Sequence, residues 1–112
     1  MVSKVDIKPL SVNVAWCGRR VKTKAYQDFE KKCLFFLPKL NIPKEGPYEV
    51  FYCFGFSNRS ADLANPEKLI TDILCKKYGF DDRYIEKMTL MKEIVEKGKE
   101  YFAFEIKKYE RE

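Results

Sequence analysis

Tyr48-Glu49-Val50-Phe51-Tyr52-Cys53-Phe54-Gly55-Phe56 is nearly continuous in apolar and aromatic residues. A run of this length, rich in β-formers and bounded by Pro47 on one side and Ser57-Asn58-Arg59-Ser60 on the other, reads as a central strand covered on both faces. It delivers the chain to a polar turn, so Asp62 is expected just past a strand end.

A helix follows. Asn65 is a favoured N-cap and Pro66 suits the first helical position. Leu69, Ile70, Ile73, Leu74 and Tyr78 recur at helical spacing, and Gly79 supplies a stop. Upstream, Thr23 is placed to cap a helix running to about Leu37, with Tyr26, Phe29, Cys33, Phe36 and Leu37 as its apolar stripe and Pro38 as its end. Val2 to Lys8 suits a short strand ending at Pro9. Tyr84 to Val95 and Glu100 to Lys108 read as two strands joined through Lys97-Gly98-Lys99, and Leu40 to Pro47 as a loop. The expected order is strand, helix, strand, helix, strand, strand: an α+β domain with a mixed sheet.

The chain has 112 residues, of which 46% are hydrophobic and 15% aromatic, enough for one folded domain with a modest core and no separate substrate domain. No run of 18 apolar residues exists, and the first six residues lack the apolar core of a signal peptide, so a cytoplasmic protein without a membrane partner is expected. Cys17, Cys33, Cys53 and Cys75 are widely spaced and form no C-x-x-C pair; they read as reduced, buried small hydrophobes.

Charge is uneven. Residues 1–44 carry ten Lys/Arg against three Asp/Glu, a net +7, whereas residues 45–112 carry twelve against fourteen, a net −2. The densest part is Arg19-Arg20-Val21-Lys22-Thr23-Lys24, just after Asn13 and Trp16. Nucleic-acid phosphate is the partner that such a patch suits, with Asn13, Arg19, Arg20, Lys22 and Lys24 as candidate contacts. Solvation of a loop is the plainer account of the same cations.

The chain contains no histidine and no glycine-rich phosphate loop, so hydrolytic chemistry would have to run on carboxylates, lysines and a metal ion. The acidic groups gather around the second helix: Asp62 before it, Asp72 on it four residues from Lys68, and Asp81-Asp82 beyond it. A helix from 66 to 78 is roughly 20 Å long, so Asp82 must fold back along it to meet Asp62. Mg²⁺ prefers oxygen ligands and often binds through one or two carboxylates while keeping several waters, and Asp62 and Asp82 could supply them. The bland alternative has Asp62 closing a turn, Lys68 and Asp72 as a surface pair, and Asp81-Asp82 as a solvated loop.

Asp62-Leu63-x-Asn65-x-x-Lys68, then Asp72-Ile73-Leu74, then Gly79-Phe80-Asp81-Asp82, resembles the core signature of the RusA family of Holliday-junction resolvases, common in phages and prophages. Pro9-Leu10-Ser11-Val12-Asn13, followed by Trp16, Gly18-Arg19-Arg20, Lys22-Thr23 and Tyr26, is similar to the N-terminal segment of phage-type members. The resemblance implies one RusA-like nuclease domain over residues 1–112, acting as a homodimer on four-way DNA junctions with Mg²⁺, or Mn²⁺ in its place. It makes Asp62 and Asp82 metal ligands, with Asp72 and Asp81 as further candidates, and Lys68 catalytic.

The chain departs from the family pattern at Ala64, which stands where a second aspartate is usual. A methyl group cannot ligate a cation, so metal affinity is expected to fall unless Asn65, Asp72 or Asp81 compensates. A rearranged metal shell, a binding protein that has lost cleavage and a deliberately inactivated variant all account for it. A protein-interaction module that uses residues 19–24 on an acidic partner is the reading from a different class.

Overall fold

A computed structural model describes residues 2–17 and 21–111. The chain forms one α+β domain with a four-stranded mixed sheet and two helices, in the expected order: β1 (Ser3–Val5), α1 (Lys24–Phe36), β2 (Tyr48–Phe56), α2 (Glu67–Tyr78), β3 (Ile85–Ile94) and β4 (Tyr101–Lys108). Short 3₁₀ turns at Val12–Val14 and Asp82–Tyr84 precede α1 and β3.

The sheet order is β1-β4-β2-β3, with β2 parallel to β3 and antiparallel to β4. The two strands joined through Lys97-Gly98-Lys99 therefore do not pair with each other, because β2 lies between them. β1 is shorter than the alternation of residues 2–8 suggests: Ile7 N–H turns back to the Val5 carbonyl at 2.8 Å and ends the ladder.

Burial along β2 alternates. Tyr48, Val50, Tyr52 and Phe54 are buried beneath the helices, while Glu49, Phe51 and Cys53 point to the opposite face and are only half-buried. Tyr26, Phe29 and Cys33 of α1, Leu69, Ile70, Ile73 and Leu74 of α2, and Phe102, Phe104 and Ile106 of β4 complete one core with that row. The sequence expectation of cover on both faces is corrected here. Phe51 and Cys53 make the run look continuous, yet they belong to a sheet face that no helix of the described residues covers.

Helix ends follow local chemistry. Thr23 Oγ1 accepts from Tyr26 N–H at 3.2 Å, as its cap position predicts. Gly79 closes α2 in the left-handed region, φ 71°, with its N–H on the Cys75 carbonyl at 2.9 Å. Asn65 does not cap α2: the helix begins at Glu67 after Pro66 with no side-chain cap. Phe36, expected in the apolar stripe, is exposed, next to the exposed Phe35. Phe36 is the last residue of the helix, at the edge of the stripe about 20° beyond Phe29, and the extended backbone at Leu37 turns the chain so that Leu37 rather than Phe36 enters the core.

Of the cysteines read as buried, Cys33 is buried, while Cys53 and Cys75 are only partly so. Burial pushes the Cys33 thiol up to about 12, and burial with the Asp82 charge pushes Cys75 up to about 11. Cys17 is exposed, contrary to the reading of all four as core residues. No helix among the described residues is long and apolar enough to cross a membrane.

Gly55 is the one small residue in β2, and the reason is on the open face. Tyr101 of β4 lies across it so closely that a Cβ would fall into its ring. The ring's hydroxyl reaches Glu93 Oε1 of β3 at 2.8 Å, crossing over β2 altogether. Gly55→Ala should lower stability by about 1–3 kcal/mol through this overlap. Urea unfolding should show a lower midpoint at unchanged slope, whereas an unshifted midpoint would mean that Tyr101 gives way freely.

Candidate functional site

The loop from Ser57 to Pro66 is built from side chains bonding their own backbone. Asn58 Oδ1 accepts from Ser60 N–H at 2.9 Å, and Asp62 Oδ1 accepts from Ala64 N–H at 3.1 Å. Both are turns of the kind that Asn and Asp favour. Lys92 of β3 adds an outside brace, with its ammonium 3.0 Å from the carbonyls of both Arg59 and Ala61. Asp62 is consequently held at the lip of a groove of about 680 Å³ lined by Lys8, Pro9, Leu10, Ser11, Asn13, Phe56, Asn65 and Pro66, among others.

Asn65, freed from capping, joins the two sequence motifs. Its Nδ2 donates to Ser11 Oγ at 2.9 Å, and the same hydroxyl accepts from Asn13 N–H at 3.1 Å. Asn13 and Asp62, 49 positions apart, thus line one groove.

On α2 the acidic and basic groups of the signature converge. Lys68 Nζ lies 3.3 Å from Asp72 Oδ1 and 3.4 Å from Asp82 Oδ2. The first contact is the i,i+4 pair expected of one helix face. The second depends on the chain turning back after Gly79, where Asp81 Oδ1 accepts from Arg83 N–H at 3.0 Å and sets the short 3₁₀ turn that presents Asp82. Asp72, Asp81 and Asp82 also border a common small hollow with Cys75 and Phe80.

The two clusters open onto different hollows: Asp62 lines the groove with Asn13, and Asp82 lines its own with Lys68 and Glu67. Among the described residues no three His, Cys, Asp or Glu side chains converge to hold a metal ion. The pair Asp72/Asp82 is the set whose oxygens already share one cation, the Lys68 ammonium. Two carboxylates suit Mg²⁺, which keeps much of its water shell.

Of the basic candidates, Lys24 is exposed at the start of α1. Lys22 is engaged: its ammonium is 3.2 Å from Glu30 and 5.1 Å from the centre of the Tyr26 ring, and Glu30 also holds Lys76 at 3.3 Å. Trp16 packs edge-on against Tyr26, with ring centres 5.3 Å apart. Arg19 and Arg20 lie outside the described residues.

Sequence reasoning missed Glu67, Ser11, Lys8 and Lys92. Glu67 Oε2 accepts from Thr71 Oγ1 at 2.7 Å, and Thr71 Oγ1 sits 2.7 Å from Tyr52 Oη in the core. Since the threonine's single proton goes to Glu67, the Tyr52 hydroxyl donates to Thr71. The i,i+4 spacing of Glu67 and Thr71 was a legible signal. Nothing local marked Lys8 or Lys92. Compared with known proteins, the chain matches no family model and no curated protein.

Asp72 chiefly, with Asp82 behind it, holds the Lys68 pKa above the usual lysine value. A raised lysine pKa means that the folded state favours the ammonium. That contribution is complete below the ordinary lysine range and is lost as pH rises through the raised value. In a ¹³C-lysine NMR titration, Asp72→Asn should bring the Lys68 midpoint down further than Asp82→Asn does. The reverse order would contradict the assignment of Asp72 as the dominant partner.

Proposed function

We propose that the protein is a Mg²⁺-dependent, structure-selective endodeoxyribonuclease that cuts four-way DNA junctions by paired nicks. The observation that carries this reading is the meeting of Lys68, Asp72 and Asp82 across a helix and a return turn, in the order that the family resemblance assigns them. Asp72 and Asp82 would hold the ion, with Asp81 adjacent, and Asp62, which lines the separate groove with Asn13, would face the incoming strand there. A bound Mg²⁺ would acidify its water and stabilise the departing oxygen.

The chain's own groups do the rest. Lys68, already charged and pointed at both carboxylates, would balance the negative charge that develops on the phosphate. Asn13 and Lys8 rim the groove beside Asp62, where a strand would run. Lys24, and Arg19 and Arg20 by sequence, add the positive field that draws phosphate in. Paired symmetric cuts call for a twofold homodimer, each copy carrying +5.

Ala64 favours a second reading, a junction-binding relative that no longer cleaves. Its backbone N–H is committed to Asp62 in an exposed turn, where an aspartate side chain would add a carboxylate to that rim.

A labelled mobile junction incubated with and without Mg²⁺ separates the two. Paired symmetric nicks that need the metal support the nuclease, and binding without product supports the second reading. Lys68→Ala should cut kcat by about 10²-fold or more while leaving junction binding within a few-fold, and Asp82→Asn should act in the same way. Normal cutting by Asp82→Asn would remove it from the ligand set. Ala64→Asp should raise metal-dependent cleavage. If about six to ten phosphates are contacted, affinity should fall by about 10³–10⁵ between about 50 and 200 mM salt. A salt-insensitive complex would count against the electrostatic picture.

A further inference from the structure

β3 reads almost identically in both directions. Ile85-Glu86-Lys87-Met88-Thr89-Leu90-Met91-Lys92-Glu93-Ile94, inverted, differs only in the order of Thr89 and Leu90, so its charged residues flank an apolar centre at both ends, and the register must be settled by the faces rather than by this symmetry. The strand is also an edge: it pairs with β2 on one side, and no strand of the described residues lies on the other. Its ten residues are well above the usual five or six, and they contain no proline. A long edge presents a row of unpaired backbone groups as a template for another strand. Met91 is 51% exposed and Ile94 37%.

We propose that β3 pairs antiparallel with β3 of a second copy of this chain, with Leu90 opposite Leu90 on a twofold axis, making one continuous eight-stranded sheet. The faces decide the register. Lys87, Thr89, Met91 and Glu93 pair with Glu49, Phe51, Cys53 and Gly55 and so belong to the open face. Met88, Leu90, Lys92 and Ile94 pair with Val50, Tyr52, Phe54 and Phe56 on the helix-covered face. Directly opposite residues of an antiparallel pair share a face.

With Leu90 on the axis every residue from 87 to 93 meets a residue of its own face. Lys87 stands opposite Glu93 of the second copy, and Glu93 opposite its Lys87, giving two symmetric ion pairs. Thr89 meets Met91, and Met88 meets the stem of Lys92. A slip of one residue mismatches the faces, and one such slip sets Lys87 against Lys92 and Glu86 against Glu93. A slip of two keeps the faces; in one direction it puts Met91 opposite Lys87 and Glu86 opposite Lys92, whose ammonium is already taken by the Arg59 and Ala61 carbonyls, and in the other it puts Thr89 opposite Glu93 with no ion pair.

The pairing groups are prepared for this. Tyr101 Oη, reaching over β2, donates to Glu93 Oε1 at 2.8 Å, which leaves the other carboxylate oxygen for a cation across the seam, and Lys87 Nζ is 3.7 Å from Glu49, too long for a hydrogen bond, so it can turn outward. Lys92, held by the loop carbonyls, keeps its charge away from the seam. The inference deepens the homodimer of the reading above but rests on β3 alone.

Sedimentation equilibrium over a concentration series at low salt tests it. A reversible dimer is expected. Lys87→Glu and Glu93→Lys should each raise its dissociation constant at least about tenfold, because both symmetric pairs become like-charged. The double variant K87E/E93K should return to near the parent value. Within one copy the two positions are about 20 Å apart along the strand, so recovery can come only across the axis. As a second readout, Leu90→Cys in a Cys17→Ser background should form an interchain disulfide on oxidation, and Lys87→Cys should not. A monomer at every concentration, unaffected single variants, or a double variant as weak as the singles would overturn the pairing. DNA cutting is scored separately: a dimer that does not nick sinks the nuclease and keeps the pairing, and a dimer that makes paired nicks but is indifferent to the Lys87 and Glu93 variants sinks the pairing and keeps the nuclease.

Discussion

The packing of α2 against the helix-facing row of β2 is the contact on which the remaining architecture rests. Leu69, Ile70, Ile73 and Leu74 close over Val50, Tyr52 and Phe54, all essentially inaccessible to water. Removing so much apolar surface from solvent is the dominant favourable term in a domain of this size. The same contact orients Lys68 and Asp72 outward, since on a helix whose positions 69, 70, 73 and 74 are inward, 68 and 72 share the margin of the opposite stripe. The hydroxyl relay from Tyr52 through Thr71 to Glu67 crosses this interface and leaves no buried side-chain polar atom without a partner among the described residues.

Much of this was legible from local pattern. The bounds of β2, the Thr23 cap, the Gly79 stop and the fold class depend on interactions within one or two turns of chain, where propensity and periodicity carry information. Lys68 with Asp72 was legible for the same reason. The approach of Asp82 was foreseeable only as a requirement: a helix ending in a left-handed glycine must turn, but the direction is decided by Phe80 packing beside Tyr48, with ring centres 5.2 Å apart.

What stayed hidden depends on partners distant in sequence. Asn65 looked like a cap because capping is its commonest local use. The hydroxyl of Ser11, 54 positions earlier, takes its amide instead. Phe51 and Cys53 looked like core because hydrophobicity does not say how many layers a fold has. Lys22 looked available because its acidic partner lies a turn and more into α1. Each case is a tertiary contact outranking a sound local expectation.

The two bonds from Lys92 to the Arg59 and Ala61 carbonyls act as a strut between the outermost strand and the loop that carries Asp62. Strand and loop are thereby mechanically linked, and displacing β3 by a fraction of an ångström must either stretch both bonds or drag the carboxylate along. The rim of the groove inherits its rigidity from the sheet rather than from its own short turns. Any event that stiffens that border of the molecule is therefore transmitted, through one side chain, to the lip of the groove that carries Asp62.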